Sequence, residues 1–237
     1  MLIRHGKTFN MGAFLAISFF GILALIFSPI FPGQKNGLDY CDDLFNKLSK
    51  GSSYFIPKVE KDAQKFAGNN IAVTVKLEKQ EEVDKAIKML ITAGLQVGAT
   101  NTELKINGDL GKLIGQVLKD SDAMYHNDGK AVAETYGLAE KDVMTSWWNV
   151  LSKVDKELKK AKKVDESNLI SAVLKKAVEP AFNYYGVEAQ SVSEKAFVMT
   201  ALLIFYVAYT MWWGYAIFYL FDGIGLSMKK AKVKKEV

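Results

Sequence analysis

The amino-acid sequence predicts an α+β membrane protein: two terminal transmembrane helices flank a mainly helical extracytoplasmic domain with a small β-sheet and a βαββα-like core. Three observations predict it. Residues 11–31 and 196–221 form two apolar runs without a charged residue, each long enough for the roughly 20 residues that carry a helix across about 30 Å of hydrocarbon. The segment between them is rich in Lys, Glu and Asp. Within it, period-two and period-3.6 apolar patterns alternate. The mean hydropathy of the chain, +0.03, averages two different compositions and describes neither.

Residues 1–10 read as a short cytoplasmic tail, with Arg4 and Lys7 and no acidic residue. The first transmembrane helix is expected over 11–31, ended by Pro29 and Pro32. A cleaved signal peptide has a shorter apolar core and a small-x-small cleavage site. This run is longer, and residues 28–32 offer no such site, so it reads as an uncleaved signal anchor. The second helix is expected over 196–221. Its aromatic-rich second half, with Trp212, Trp213, Tyr215 and Tyr219, suits an interfacial belt. Tyr206 and Tyr209 lie deep enough to require hydrogen-bond partners. Residues 222–237 form a basic tail carrying Lys229, Lys230, Lys232, Lys234 and Lys235. Positive flanks favour the cytoplasm. Both termini are therefore expected in the cytoplasm of a bacterium, with the domain at 32–195 periplasmic and the chain in the inner membrane. The net charge of +5 is concentrated in the tail directly after an apolar run. Anionic lipid headgroups, and not nucleic acid, are its expected partner. The pairs Gly12/Ala16, Ala24/Ser28 and Thr210/Gly214 have the small-xxx-small spacing that lets helices approach closely.

In the domain, a short helix is expected over 40–48 with Asp39 as its cap, and another over 54–66 with Pro57 near its start. Residues 71–77 alternate as a strand. Residues 79–93 form an amphipathic helix stopped by Gly94. Two strands come next over 95–100 and 102–106, with Asn107-Gly108 as a turn. Asp109 then caps a helix carrying Leu110, Leu113, Ile114, Val117 and Leu118 on one face. Helices are expected over 130–136, over 139–163 with Val143, Trp147, Val150, Leu151, Val154 and Leu158 inward, and over 167–185 with a kink or break at Pro180.

Chemistry-bearing residues are sparse. Cys41 is the single cysteine, so neither an internal disulfide nor a multi-cysteine metal site can form. His5 and His126 fall on opposite sides of the expected membrane. Asp120, Asp122, His126 and Asp128 cluster in sequence but match no calcium-loop spacing and read as loop polarity. Asp39, Asp42 and Asp43 read as a helix start. The fragment 108–111 lacks a phosphate-loop pattern, and neither apolar run holds an Asp, Glu, Lys, Arg or His for proton or ion transport. No catalytic residue, metal or cofactor is expected. What stands out is aromatic: Trp147 and Trp148 are neighbours on one helix, so their rings point about 100° apart and one of them is directed towards the surface. Tyr206, Tyr209, Trp212 and Trp213 offer a contact face on the second transmembrane helix.

A chain of this kind is expected to be a non-catalytic accessory, assembly or scaffold subunit of a cell-envelope complex, with other membrane subunits as partners. Its layout also resembles that of polysaccharide co-polymerases, which place a large outer domain between terminal helices with both tails inside. That resemblance implies a homo-oligomeric chain-length regulator. Those proteins carry a proline-rich segment entering the second helix, where this chain has Val192-Ser193-Glu194-Lys195. A third expectation is an extracytoplasmic sensor; with only the basic tail after 221, it would act through a partner.

Overall fold

The computed structural model describes residues 3–226; the five tail lysines, Lys229 to Lys235, lie outside the described residues. The described chain is mostly helical, with one small antiparallel sheet. It divides into two compact units, one formed by residues up to 45 together with those from 191 onward, the other by 46–190.

The first unit contains two helices long and apolar enough to cross a membrane: α1 (Gly6–Ile26) and α10 (Val192–Gly223), with mean hydropathies of 2.1 and 1.6 over their most apolar stretches. Helix α1 starts and stops five residues earlier than the apolar run. At its start, the N–H groups of Arg4 and His5 both donate to the Gly223 carbonyl (2.9 Å each), which fixes the first turn beside the end of α10. At its other end, Ser28 precedes Pro29 and is pushed out of helical geometry. Residues 27–31 therefore leave the helix; Phe31 N–H donates to the Lys35 carbonyl, and its ring stacks on Tyr40. Helix α10 has 32 residues and extends past the 196–221 run at both ends. At the crossing of α1 and α10 stand Gly12 and Gly223. A Cβ on Gly12 would lie 2.6 Å from the Leu220 nitrogen, and one on Gly223 2.6 Å from Phe9 Cα. A Cβ on Gly214 would meet nothing within 4 Å, so the Thr210/Gly214 spacing does not serve this pair.

Helix α2 (Gly37–Ser52) is longer than expected. Its cap is Asn36, whose Oδ1 accepts from Asp39 N–H (2.9 Å); Asp39 itself lies in the first turn. Helix α3 (Ile56–Ala63) comes next, with Pro57 in its first turn, where a missing N–H costs nothing.

The sheet has strand order β1 (Asn70–Lys76), β3 (Glu103–Asp109), β2 (Gln96–Thr100), all antiparallel. Helix α4 (Gln80–Thr92) joins β1 to β2 and ends in a Schellman motif: Gly94 takes φ +80°, and Leu95 N–H reaches back to the Leu90 carbonyl. The β2–β3 hairpin turns at Asn101, with φ +51°. Asn107 and Gly108 are not a turn; they pair with Ala72 and Ile71 of β1. Gly108 holds φ +153°, a conformation open mainly to glycine, with Leu95 packed over it. Asp109 caps α5 (Leu110–Tyr125), accepting from the N–H groups of Gly111, Lys112 and Gly68.

Helices α6 (Gly129–Tyr136), α7 (Glu140–Lys160) and α8 (Val164–Val173) complete the core. Every residue expected inward on α5 and α7 is buried, and Trp147 is wholly so. At the end of α7, Lys162 occupies the left-handed position, φ +58°, with Lys163 N–H bonded back to the Leu158 carbonyl. Glycine is the favoured residue there, and a side chain costs about 1–2 kcal/mol. Lys162→Gly should therefore raise the unfolding free energy by about 0.5–1 kcal/mol, read from a shift in denaturant midpoint. Before Pro180 the helix widens into a π turn (Leu174–Val178) and continues as α9 (Glu179–Asn183). The break expected at Pro180 is thus absorbed by one extra residue in the turn.

Candidate functional site

The two tryptophans of α7 part as neighbours on a helix must. Trp147 is core, which removes it from the expected interaction surface. Its Nε1–H donates to Asp120 Oδ2 (2.8 Å), and Tyr136 Oη donates to the same oxygen (2.5 Å). Gln116 Nε2 donates to Asp120 Oδ1 and to Tyr136 Oη. Asp120 is therefore a buried helix residue, not loop polarity. Burial raises its carboxyl above the usual range, and the hydrogen bonds from Tyr136, Trp147 and Gln116 pull it back in part. Burial and the same carboxylate push the Tyr136 hydroxyl up. Asp155 is the contrast. Burial raises it, but Lys159 at 2.6 Å and the Ser167 hydroxyl at 2.6 Å outweigh that and hold it low. A cation accompanies one buried carboxylate, and none bonds the other among the described residues.

Trp148 is 45% exposed. Its Nε1–H donates to Glu179 Oε1 (3.2 Å), tying the ring to the start of α9. Beside it lies Phe182, also exposed. Together they border an apolar groove of about 270 Å³, floored by Met144 and Val178. The π turn shapes this groove. An added residue rotates the remainder of the helix by about 100°, bringing Glu179 and Phe182 to the side of α7 that carries Trp148. The sequence marked Trp148 and the aromatic Phe182 but not Glu179 or the meeting of the three, because helical periodicity alone does not reveal an inserted residue.

A second crevice is polar. Lys50, buried at the end of α2, donates to Asn127 Oδ1 (3.0 Å) and to the carbonyls of Tyr184 (3.1 Å) and Val187 (2.7 Å). Burial lowers its ammonium pKa. Tyr125 Oη donates to the Lys50 carbonyl. At the crevice mouth Tyr54 Oη donates to Asp122 Oδ1 (2.6 Å), and that bond pushes the phenol up to about 12. His126 Nδ1 lies 2.9 Å from the Asp122 carbonyl. The acidic residues near His126 thus serve separate purposes: Asp120 in the core, Asp122 with Tyr54, and Asp128 as the cap of α6. No group of three or more metal-binding side chains converges among the described residues.

On α10 the predicted aromatic face divides. Tyr209 stacks on Phe19 of α1 (4.2 Å, 11°), and its hydroxyl donates to the Phe19 carbonyl (2.9 Å). Trp212 Nε1–H donates to the Leu15 carbonyl (3.1 Å), and the Trp213 ring lies 4.7 Å from that of Phe19. These three residues face α1. Tyr206 does not; it is 67% exposed. Against this geometry, no family model, curated protein or solved structure matches the chain.

Proposed function

We propose that this chain is a non-catalytic accessory, assembly or scaffold subunit of a membrane protein complex in the bacterial cell envelope. Helices α1 and α10 anchor it in the inner membrane with both termini cytoplasmic, the domain between them is periplasmic, and the basic tail meets anionic headgroups. The length and apolarity of the two helices support the anchoring. The observation that carries the functional reading is Trp148: a large, half-exposed ring held by Glu179 over an apolar groove. Tryptophan is enriched among the few residues that carry most of the energy of protein–protein contacts. The second oxygen of Glu179 has no partner among the described residues. The groove therefore fits a subunit that offers an apolar side chain with an N–H donor or a cation beside it.

The test compares the wild-type chain with Trp148→Ala after gentle extraction from its own membrane, by native mass spectrometry. Wild type should carry unrelated membrane subunits at fixed stoichiometry. The variant should lose them, with binding weakened by about 2 kcal/mol or more, roughly thirtyfold, while its thermal midpoint moves little. A variant that keeps its subunits refutes the reading.

A further inference from the structure

Most hydroxyl groups within the two apolar helices are satisfied by the chain itself; those of Thr8, Tyr206, Tyr215 and Tyr219 have no partner among the described residues, and of these Tyr206 lies nearest the middle of an apolar run. Ser18 donates to the Phe14 carbonyl, Thr200 to Ala196, Tyr209 to Phe19 and Thr210 to Tyr206, all at 2.7–2.9 Å. The Tyr206 hydroxyl has no partner among the described residues, and the residue is 67% exposed. Tyr206 stands about 4 Å along the axis from the midpoint of the charge-free stretch 196–221, at 1.5 Å per residue. The headgroups begin about 15 Å from that midpoint, beyond the reach of a tyrosine ring. Tyr215 and Tyr219, about 10 and 16 Å from it, do reach them. Lipid tails neither donate nor accept, so a hydroxyl left alone at the depth of Tyr206 is costly.

Resting on the membrane anchoring above, we propose that the Tyr206 face of α10 seats a second copy of this chain, packed in parallel, with the two Tyr206 hydroxyls bonded to each other. Copies inserted by the same signals share one orientation. A two-fold axis along the membrane normal then sets each residue opposite itself at equal depth. A tyrosine hydroxyl both donates and accepts, so the second copy supplies the missing group. One hydroxyl donates to the other. Thr210 lies one turn on along α10, with its own proton given to the Tyr206 carbonyl. Gly214, one turn further, leaves open space where a side chain would stand and admits a neighbouring helix closely. The pair within one chain uses Gly12 and Gly223 instead, so the Thr210–Gly214 side is left for this contact.

The test places the photoreactive residue p-benzoylphenylalanine at position 206 of the full chain in its native membrane. Ile204, 64% exposed and on the opposite side of α10, is the control position. Irradiation should give a species of twice the chain mass from position 206 and not from 204. In addition, Tyr206→Phe should lower co-purification of two differently tagged copies by about threefold or more. An adduct of position 206 with a different protein, or with lipid alone, overturns the proposal. Alkali-washed membranes separate the two readings. A chain released into the soluble fraction overturns the anchoring itself, whereas a chain kept in the pellet without a self-adduct overturns only the pairing.

Discussion

Asp120→Ala should lower the unfolding free energy of the central domain by about 3 kcal/mol. Two donors inside the core, Trp147 Nε1–H and Tyr136 Oη–H, would lose their only acceptor among the described residues. Each orphaned buried donor costs about 1–3 kcal/mol. The loss is offset in part because the variant no longer buries a carboxylate. Chemical denaturation of the full chain in mild detergent, followed by near-ultraviolet dichroism of the tryptophans, measures it. Asp120→Asn keeps an acceptor oxygen for Trp147 and should cost far less. Its comparison with wild type also depends on pH. Burial raises the Asp120 carboxyl in the folded chain, so the folded state holds this proton more tightly than the unfolded state does. That contribution is complete below the unfolded value of about 3.9 and is lost as pH rises through the raised folded value. Wild type should therefore lose stability relative to Asp120→Asn as pH rises from about 3.9 through the raised folded value. A difference that stays flat across that range would show that Asp120 does not ionise against a burial cost.

Gly223→Leu should be the most damaging change in the helix pair. Even the first carbon of the new side chain would sit 2.6 Å from Phe9 Cα, which is backbone and cannot swing aside. The end of α10 must move off α1. The bonds from Arg4 and His5 to the Gly223 carbonyl go with it, and the hydrogen bonds of Tyr209 and Trp212 to α1 are strained. Overpacking costs about 1–3 kcal/mol, and the lost hydrogen bonds add to that. A fall of several degrees in the thermal midpoint of the detergent-extracted chain is expected. Gly21→Ala, where a Cβ meets nothing within 4 Å, should leave the midpoint where it was. Equal effects from the two substitutions would mean that the helices do not cross at Gly223.

Periodicity made much of the fold legible. The inward faces of α5 and α7 and the order β1, α4, β2, β3, α5 are written in apolar spacing, because burial imposes that spacing directly. The two long helices are visible as charge-free runs. The features that escaped were set by partners distant in sequence. The start of α1 depends on Gly223, whose carbonyl accepts from Arg4 and His5, and that is not written in the hydropathy of 11–31. Asn107-Gly108 has turn chemistry, yet pairing with β1 overrides it, and Leu95 supplies the reason for glycine. Asp120 looked like a loop acid because its three donors come from Gln116, Tyr136 and Trp147, two of them on other helices. Of the interaction candidates, Trp148 and Tyr206 stand exposed, while Trp147, Tyr209, Trp212 and Trp213 are turned inward or against α1.

The buried ammonium of Lys50 has a topological consequence. It reaches from the end of α2 to the carbonyls of Tyr184 and Val187, and nearby the Gln190 N–H donates to the Lys47 carbonyl at 3.0 Å. The stretch 47–190 thus begins and ends at the same point, joined by main-chain hydrogen bonding. It is a loop already closed in space, and a covalent splice between its two ends would span almost no distance. Backbone cyclisation there would ask little of the native geometry while removing freedom from the unfolded chain. The domain is built as an insert, a cassette that could be lifted out or re-sited whole with its ends still paired.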